Sequence, residues 1–155
     1  PIDEAHYENW QDSNDFGMTE PSHELTGHIL LVEDDSVNAM IAKKALNNSG
    51  HTVTHVTDGQ QAIEVFSLNP EQYDVILMDH HMPIMDGVQA TIKLHELYDP
   101  QALPPIIALT ANAMDGERKK YLDVGMQDYC TKPFKQEQLN ALVQYWLMYK
   151  QSMEE

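Results

Sequence analysis

A doubly wound α/β domain, five strands alternating with five helices, is the fold class this 155-residue sequence predicts. Three observations carry that prediction. Short apolar runs recur along the chain, each bounded by turn residues, as strands buried on both faces do. Between them lie segments with apolar residues at helical spacing, opened by Asp or Ser and closed by Gly, Asn or Pro. The connections span only a few residues, which suits parallel strands joined by right-handed crossovers, with helices on both faces.

The first 27 residues stand apart, holding seven of the chain's 25 carboxylates and no Lys or Arg. With scattered aromatics (Tyr7, Trp10, Phe16) and no sustained period, residues 1–26 are expected to be an acidic linker or tail. The domain is expected to occupy 27–150, with 151–155 as a C-terminal tail.

The first strand covers residues 28–32 and runs into Glu33, Asp34 and Asp35. Ser36 is the expected N-cap of a helix in which Val37, Met40, Ile41 and Ala45 repeat until Asn48-Ser-Gly50 stops it. Residues 51–56 form a β-branched second strand. Asp58 and Gln61 open the next helix in capping-box form, with Ala62, Ile63 and Phe66 on its core face and Pro70 beyond its end. The third strand, 75–79, ends on Asp79 and is followed by a helix over roughly 87–97. A fourth strand over 106–109 ends at Thr110. A polar helix over 113–123 is stopped by Gly125. Residues 126–130 are the fifth strand, ending in Thr131-Lys132-Pro133. The last helix, about 135–149, has Leu139, Leu142, Val143, Trp146 and Leu147 on one face.

A net charge of −16 argues against a nucleic-acid ligand, which would need Lys and Arg. No apolar run is long enough to span a membrane and no secretory start is visible. The single cysteine, Cys130, excludes an intramolecular disulfide; it is expected to be a core thiol in a cytoplasmic protein. Because the first residue is Pro1, the chain is expected to be a fragment of a longer polypeptide or a processed product.

Parallel strands put all their C-terminal ends on one edge, where open α/β sheets bind ligands. Glu33, Asp34, Asp79, Thr110 and Lys132 therefore converge there. Singly, each has a plain alternative as a capping acid, a capping Thr or a surface Lys. Together, the clustered carboxylates call for a hard cation, and Mg²⁺ bound by carboxylates characteristically also meets a phosphate oxygen. That combination suggests phosphoryl chemistry, with Asp79 as the nucleophile that forms an aspartyl-phosphate.

At these residues the sequence closely resembles the receiver domain of two-component response regulators, over about 27–149. The matching motifs are Leu-Val-Glu-Asp-Asp-Ser (31–36), Ile-Leu-Met-Asp…Met-Pro…Met-Asp-Gly (76–87), Ala-Leu-Thr-Ala-Asn-Ala (108–113) and Tyr-Cys-Thr-Lys-Pro-Phe (129–134). Val37-Asn38 and the Gly-Met-Gln-Asp-Tyr before the Lys-Pro most resemble receivers of hybrid sensor histidine kinases. The resemblance implies the flavodoxin-like strand order 2-1-3-4-5 and a phosphoryl group on Asp79. It implies Mg²⁺, with Mn²⁺ as a substitute, held by Asp34, Asp79 and the His81 backbone carbonyl, with Glu33 acting through water. It further implies Lys132 against the phosphate, a cis Lys132–Pro133 peptide, Thr110 and Tyr129 as the switch pair, and Gly87 and Ala111 as small residues at the site. Asp35 is given a secondary role at most.

The implied partner is a histidine kinase or histidine phosphotransfer domain. Nucleic acid is not expected to be contacted directly, and any membrane contact would belong to the parent polypeptide. A weak homodimer through the face of the fourth helix, fifth strand and fifth helix is a further expectation. Output is expected to come from a partner, a phosphotransfer domain or another part of the same polypeptide.

The sequence departs from the family at His80-His81. His81 is expected to be the one facing the crevice and, with Asn112, is a candidate modulator; its plain alternative is an exposed loop residue. Arg118-Lys-Lys120 is the one basic patch and borders the region that changes when receivers switch. Two other readings compete. A haloacid-dehalogenase-type phosphohydrolase would carry an Asp where His81 stands, and a docking-only receiver would lack the side chains present here.

Overall fold

The structure is a computed structural model that describes residues 25–111 and 115–154. Ten main elements alternate along it: β1 (His28–Val32), α1 (Ser36–Asn48), β2 (Thr52–Val56), α2 (Gly59–Leu68), β3 (Val75–Asp79), α3 (Gly87–Leu97), β4 (Ile106–Thr110), α4 (Asp115–Asp123), β5 (Asp128–Thr131) and α5 (Gln136–Glu154). The strands form one parallel sheet in the order β2-β1-β3-β4-β5, as expected. Among the described residues, no helix is long and apolar enough to cross a membrane.

Alternation along each strand divides the core in two. Ile29, Leu31, Val75, Leu77, Ile107 and Leu109 face α1 and α5, where Trp146, Leu142 and Val143 close the layer. Their neighbours Leu30, Val32, Ile76, Met78, Ile106 and Ala108 face α2 and α3, against Phe66, Ala90 and Leu94. All five residues of β3 and of β4 are buried, so both strands are covered on both faces. Each large aliphatic side chain removed from water in this way contributes roughly 1.5–3 kcal/mol.

Several local expectations change. Asp35, not Ser36, caps α1: its carboxylate accepts from the Val37 and Asn38 amides, both at 2.9 Å. An anionic cap satisfies two orphan donors and complements the helix dipole. The buried face of α1 is Ala39, Ala42, Ala45 and Leu46, while Val37, Met40 and Ile41 are exposed. Small residues let α1 approach the core closely, and the larger apolar stripe is left outside. At α2, Asp58 accepts from the Gln61 amide, but Gln61 returns its side chain to the Thr57 amide. The reciprocal box stands instead at α3, between Asp86 and Gln89.

β5 begins at Asp128 rather than 126, because the Met126 amide still donates to the Tyr121 carbonyl, closing α4 around Gly125 (φ 107°). The last helix runs to Glu154, through residues expected as a tail. Nothing after Pro133 is Gly or Pro, and Gln, Met and Glu are good helix formers. At the other end, Leu25 already grips α5, its amide donating to Gln144 Oε1 at 3.0 Å. The buried Trp146 indole donates to Asp128 Oδ2 at 3.0 Å, joining α5 to the start of β5.

Candidate functional site

The sheet topology delivers the expected acids and base to one place. Glu33 follows β1, Asp79 is the last residue of β3, Thr110 the last of β4, and Lys132 follows β5. Oxygens of Glu33, Asp34 and Asp79 lie within 4.8 Å of one another. Glu33 and Asp79 are buried, whereas Asp34 is exposed at the rim. The Lys132 ammonium bridges the buried pair, 2.7 Å from Glu33 Oε1 and 3.0 Å from Asp79 Oδ1. Its position is set through the backbone, since the Lys132 amide donates to the Thr110 carbonyl at 2.7 Å. The Lys132–Pro133 peptide is cis.

Charge is unbalanced here: three carboxylates share one ammonium. Burial and the neighbouring Glu33 push the Asp79 carboxyl up to about 8, against the opposing pull of Lys132. Burial lowers the Lys132 pKa, but Glu33 and Asp79 outweigh it and hold the ammonium above its usual value. The cluster is therefore short of positive charge, and its donors are all hard carboxylate oxygens. That set fits Mg²⁺ or a similar ion.

The loop after β3 folds tightly under the acids. The Gly87 amide donates to the His80 carbonyl at 2.8 Å, and a Cβ at Gly87 would strike the Asp79 carbonyl oxygen and come within 2.8 Å of Met78 Cγ. Only glycine fits there. Further out, the Met85 amide donates back to the Pro83 carbonyl at 2.7 Å across Ile84, whose φ is +71°. A β-branched residue at the centre of such a γ-turn is strained, and its side chain, 82% exposed, gains nothing in return. Ile84→Gly is expected to stabilise the domain by about 1 kcal/mol after glycine's own entropic cost is deducted. An unchanged or lower urea midpoint would count against strain at this residue.

The two histidines take opposite places. His81, expected to face the crevice, is exposed and stacks on His80 at a ring-centroid distance of 4.0 Å. His80 is the one turned inward, only 3% exposed, with Nδ1 3.0 Å from the Tyr121 hydroxyl and 4.0 Å from Glu117. Alternation of successive side chains places the ring beside a buried Asp79 on the opposite side of the strand end, where α4 covers it. Burial, then the nearby His81 and Lys120, lower its pKa. Tyr121 in turn donates to Thr110 Oγ at 2.9 Å.

Neither His80 nor Tyr121 was an expected site residue. The available signal was Tyr121 itself, the one aromatic in a helix whose only other large apolar residue is Leu122. Of the remaining candidates, Tyr129 is half-buried, Ala111 is exposed, and Asn112 lies outside the described residues. Cys130 is buried and its thiol is pushed up to about 12, chiefly by burial, so it is an inert core thiol.

Residues 29–144 match the family described as the response regulator receiver domain. The chain belongs to that family. A receiver is the phosphoacceptor module of two-component signalling. Aligned over 120 residues, this one is 35% identical to the aerobic respiration control sensor protein ArcB of Escherichia coli, covering 77% of the present chain but 15% of ArcB. Over another 120 it is 39% identical to the sensor protein GacS of Pseudomonas syringae, covering 76% of the chain and 13% of GacS. The chain thus spans about one seventh of the sensor proteins it resembles. Among solved structures, the receiver domain of sensor histidine kinase PA1611 from Pseudomonas aeruginosa is 41% identical, with a TM-score of 0.66 over 80% of this chain and 99% of that one. That receiver has a magnesium ion coordinated in its active-site cleft. The chemotaxis response regulator CheY4 of Vibrio cholerae shares the fold at 24% identity, with a TM-score of 0.71 over 79% of this chain and 99% of its own.

Proposed function

We propose that this receiver takes a phosphoryl group from a phosphohistidine partner onto Asp79, within a hybrid histidine kinase or phosphorelay. The observation that carries the reading is the bridge from Lys132 to Asp79 and Glu33 inside the three-carboxylate cluster. The hybrid-kinase context is supported by the likeness to ArcB, GacS and the PA1611 receiver. The acidic segment that precedes Leu25 would be its linker. The inert single thiol is in keeping with a cytoplasmic setting.

Asp79 Oδ attacks phosphorus, the P–N bond to the donor imidazole breaks, and that imidazole takes up a proton. Lys132, freed from part of its contact with Asp79, pairs with a phosphoryl oxygen. Asp34 and Asp79, with the His81 carbonyl, would hold Mg²⁺, and Glu33 would reach it through water. When bound, the ion supplies the positive charge that the cluster lacks and that a phosphoryl group needs. Thr110 follows the phosphoryl group and Tyr129 fills the space it leaves, shifting the population of the α4–β5–α5 face. His81, at the rim, is placed to modulate the lifetime of the phosphorylated state.

The test is incubation with acetyl phosphate and Mg²⁺, followed by intact-mass measurement. One phosphoryl group per chain is expected, and none in Asp79→Ala. Undiminished incorporation in that variant, or sustained turnover of a phosphomonoester by wild type, would sink the reading.

A further inference from the structure

Thr110 is held from behind. Tyr121 projects from α4 into the core, 1% exposed, and its hydroxyl donates to Thr110 Oγ at 2.9 Å. The other side of that hydroxyl is covered by His80 Nδ1 at 3.0 Å, and the two rings meet edge-on with centroids 5.3 Å apart. The Glu117 carboxylate also faces the Tyr121 hydroxyl and lies 4.0 Å from His80 Nδ1.

Tyr121 cannot easily follow a moving partner. Its ring packs in the layer that contains Ala108 and Met126, and its backbone carbonyl accepts from the Met126 amide at 3.0 Å. A shift of Thr110 toward a group on Asp79 must therefore stretch or break the Tyr121 bond. Breaking a buried hydrogen bond leaves both partners to find others, so the bond opposes the shift.

We propose that Tyr121, oriented by His80, is a positioning residue that holds Thr110 in the unphosphorylated receiver, so that the Asp79 phosphoryl group must outcompete it. The inference rests on Asp79 being the phosphoacceptor. It is distinct from the role of Tyr129, which stands on β5 and is only half-buried. Tyr121 acts before phosphorylation and holds Thr110 back.

The experiment is a ¹⁹F NMR titration with beryllofluoride and Mg²⁺, a stand-in for the phosphoryl group on Asp79. Tyr121→Phe is expected to bind about fivefold more tightly than wild type, the worth of one neutral hydrogen bond. The same substitution in a Thr110→Val background is expected to change nothing, since the bond is already gone. Equal or weaker binding by Tyr121→Phe, or an undiminished gain in the Thr110→Val background, overturns the proposal. Wild type that fails to take up beryllofluoride overturns the phosphoacceptor reading, and this inference with it. Should Tyr121→Phe fold poorly, wild type labelled with ¹³Cζ-tyrosine gives the second measurement. The Tyr121 signal is expected to move when beryllofluoride saturates the site, and a stationary signal overturns the proposal.

Discussion

Lys132→Met is expected to cost the metal-free domain about 3 kcal/mol at pH 8, as removal of one partner from a buried ion cluster does. The ammonium is the only cation contacting Glu33 and Asp79 among the described residues, and its side chain is 15% exposed. Methionine keeps much of the stem's volume but removes the charge that holds the Asp79 carboxyl down, so Asp79 keeps its proton in the variant and Glu33 is left uncompensated. The cost should grow as pH rises past about 8, where wild-type Asp79 ionises against Lys132 and the variant's does not. Urea unfolding at pH 6 and pH 9 checks this. An equal midpoint shift at both would show that the loss is one of packing.

Asp79→Asn should do the opposite, stabilising the metal-free domain by about 1–2 kcal/mol at pH 8, within the range of single stabilising substitutions. Asp79 titrates at about 8 in the folded chain against an ordinary 3.8. Between those values the folded state holds a proton that the unfolded state has released. The stability this group contributes is therefore complete below about pH 4 and lost as pH rises through about 8. Asparagine stays neutral throughout and leaves Lys132 paired with Glu33, so the variant's advantage grows with pH. Mg²⁺ should reverse the ranking: at a hundredfold excess over Kd, binding to the folded wild type adds about 2.7 kcal/mol, while the variant has lost a ligand. A wild type whose unfolding midpoint ignores both pH and Mg²⁺ would refute the charge imbalance.

These opposite effects have one origin, and it limits how the domain can be stabilised. The acids that prepare the site for a cation and a phosphoryl group strain the fold when neither is bound. The strained Ile84 turn lies on the same loop.

Much of this was legible without coordinates. Strand runs such as Val75–Asp79 and Ile106–Thr110 are continuous in sequence, and parallel topology forces their ends to one edge, so Glu33, Asp79, Thr110 and Lys132 had to meet. Caps were less legible, because Asp35 and Ser36 are both good candidates and only the local dihedrals choose between them. The helical period in α1 shows in Val37, Met40, Ile41 and Ala45, yet only Ala45 of these is buried. Periodicity says that a face repeats, whereas the close approach of the helix to the core decided that Ala39 and Ala42 face inward and Met40 does not.

By itself, then, the sequence determined the strand–helix order and the residues at the strand ends, because both follow from local pattern and the geometry of a parallel sheet. The tertiary structure alone decided which acid is buried, which histidine turns inward, and that Tyr121 reaches Thr110. Those contacts join residues 41 and 11 positions apart. They depend on how α4 is rotated and seated against the sheet, a long-range packing outcome that no local spacing encodes.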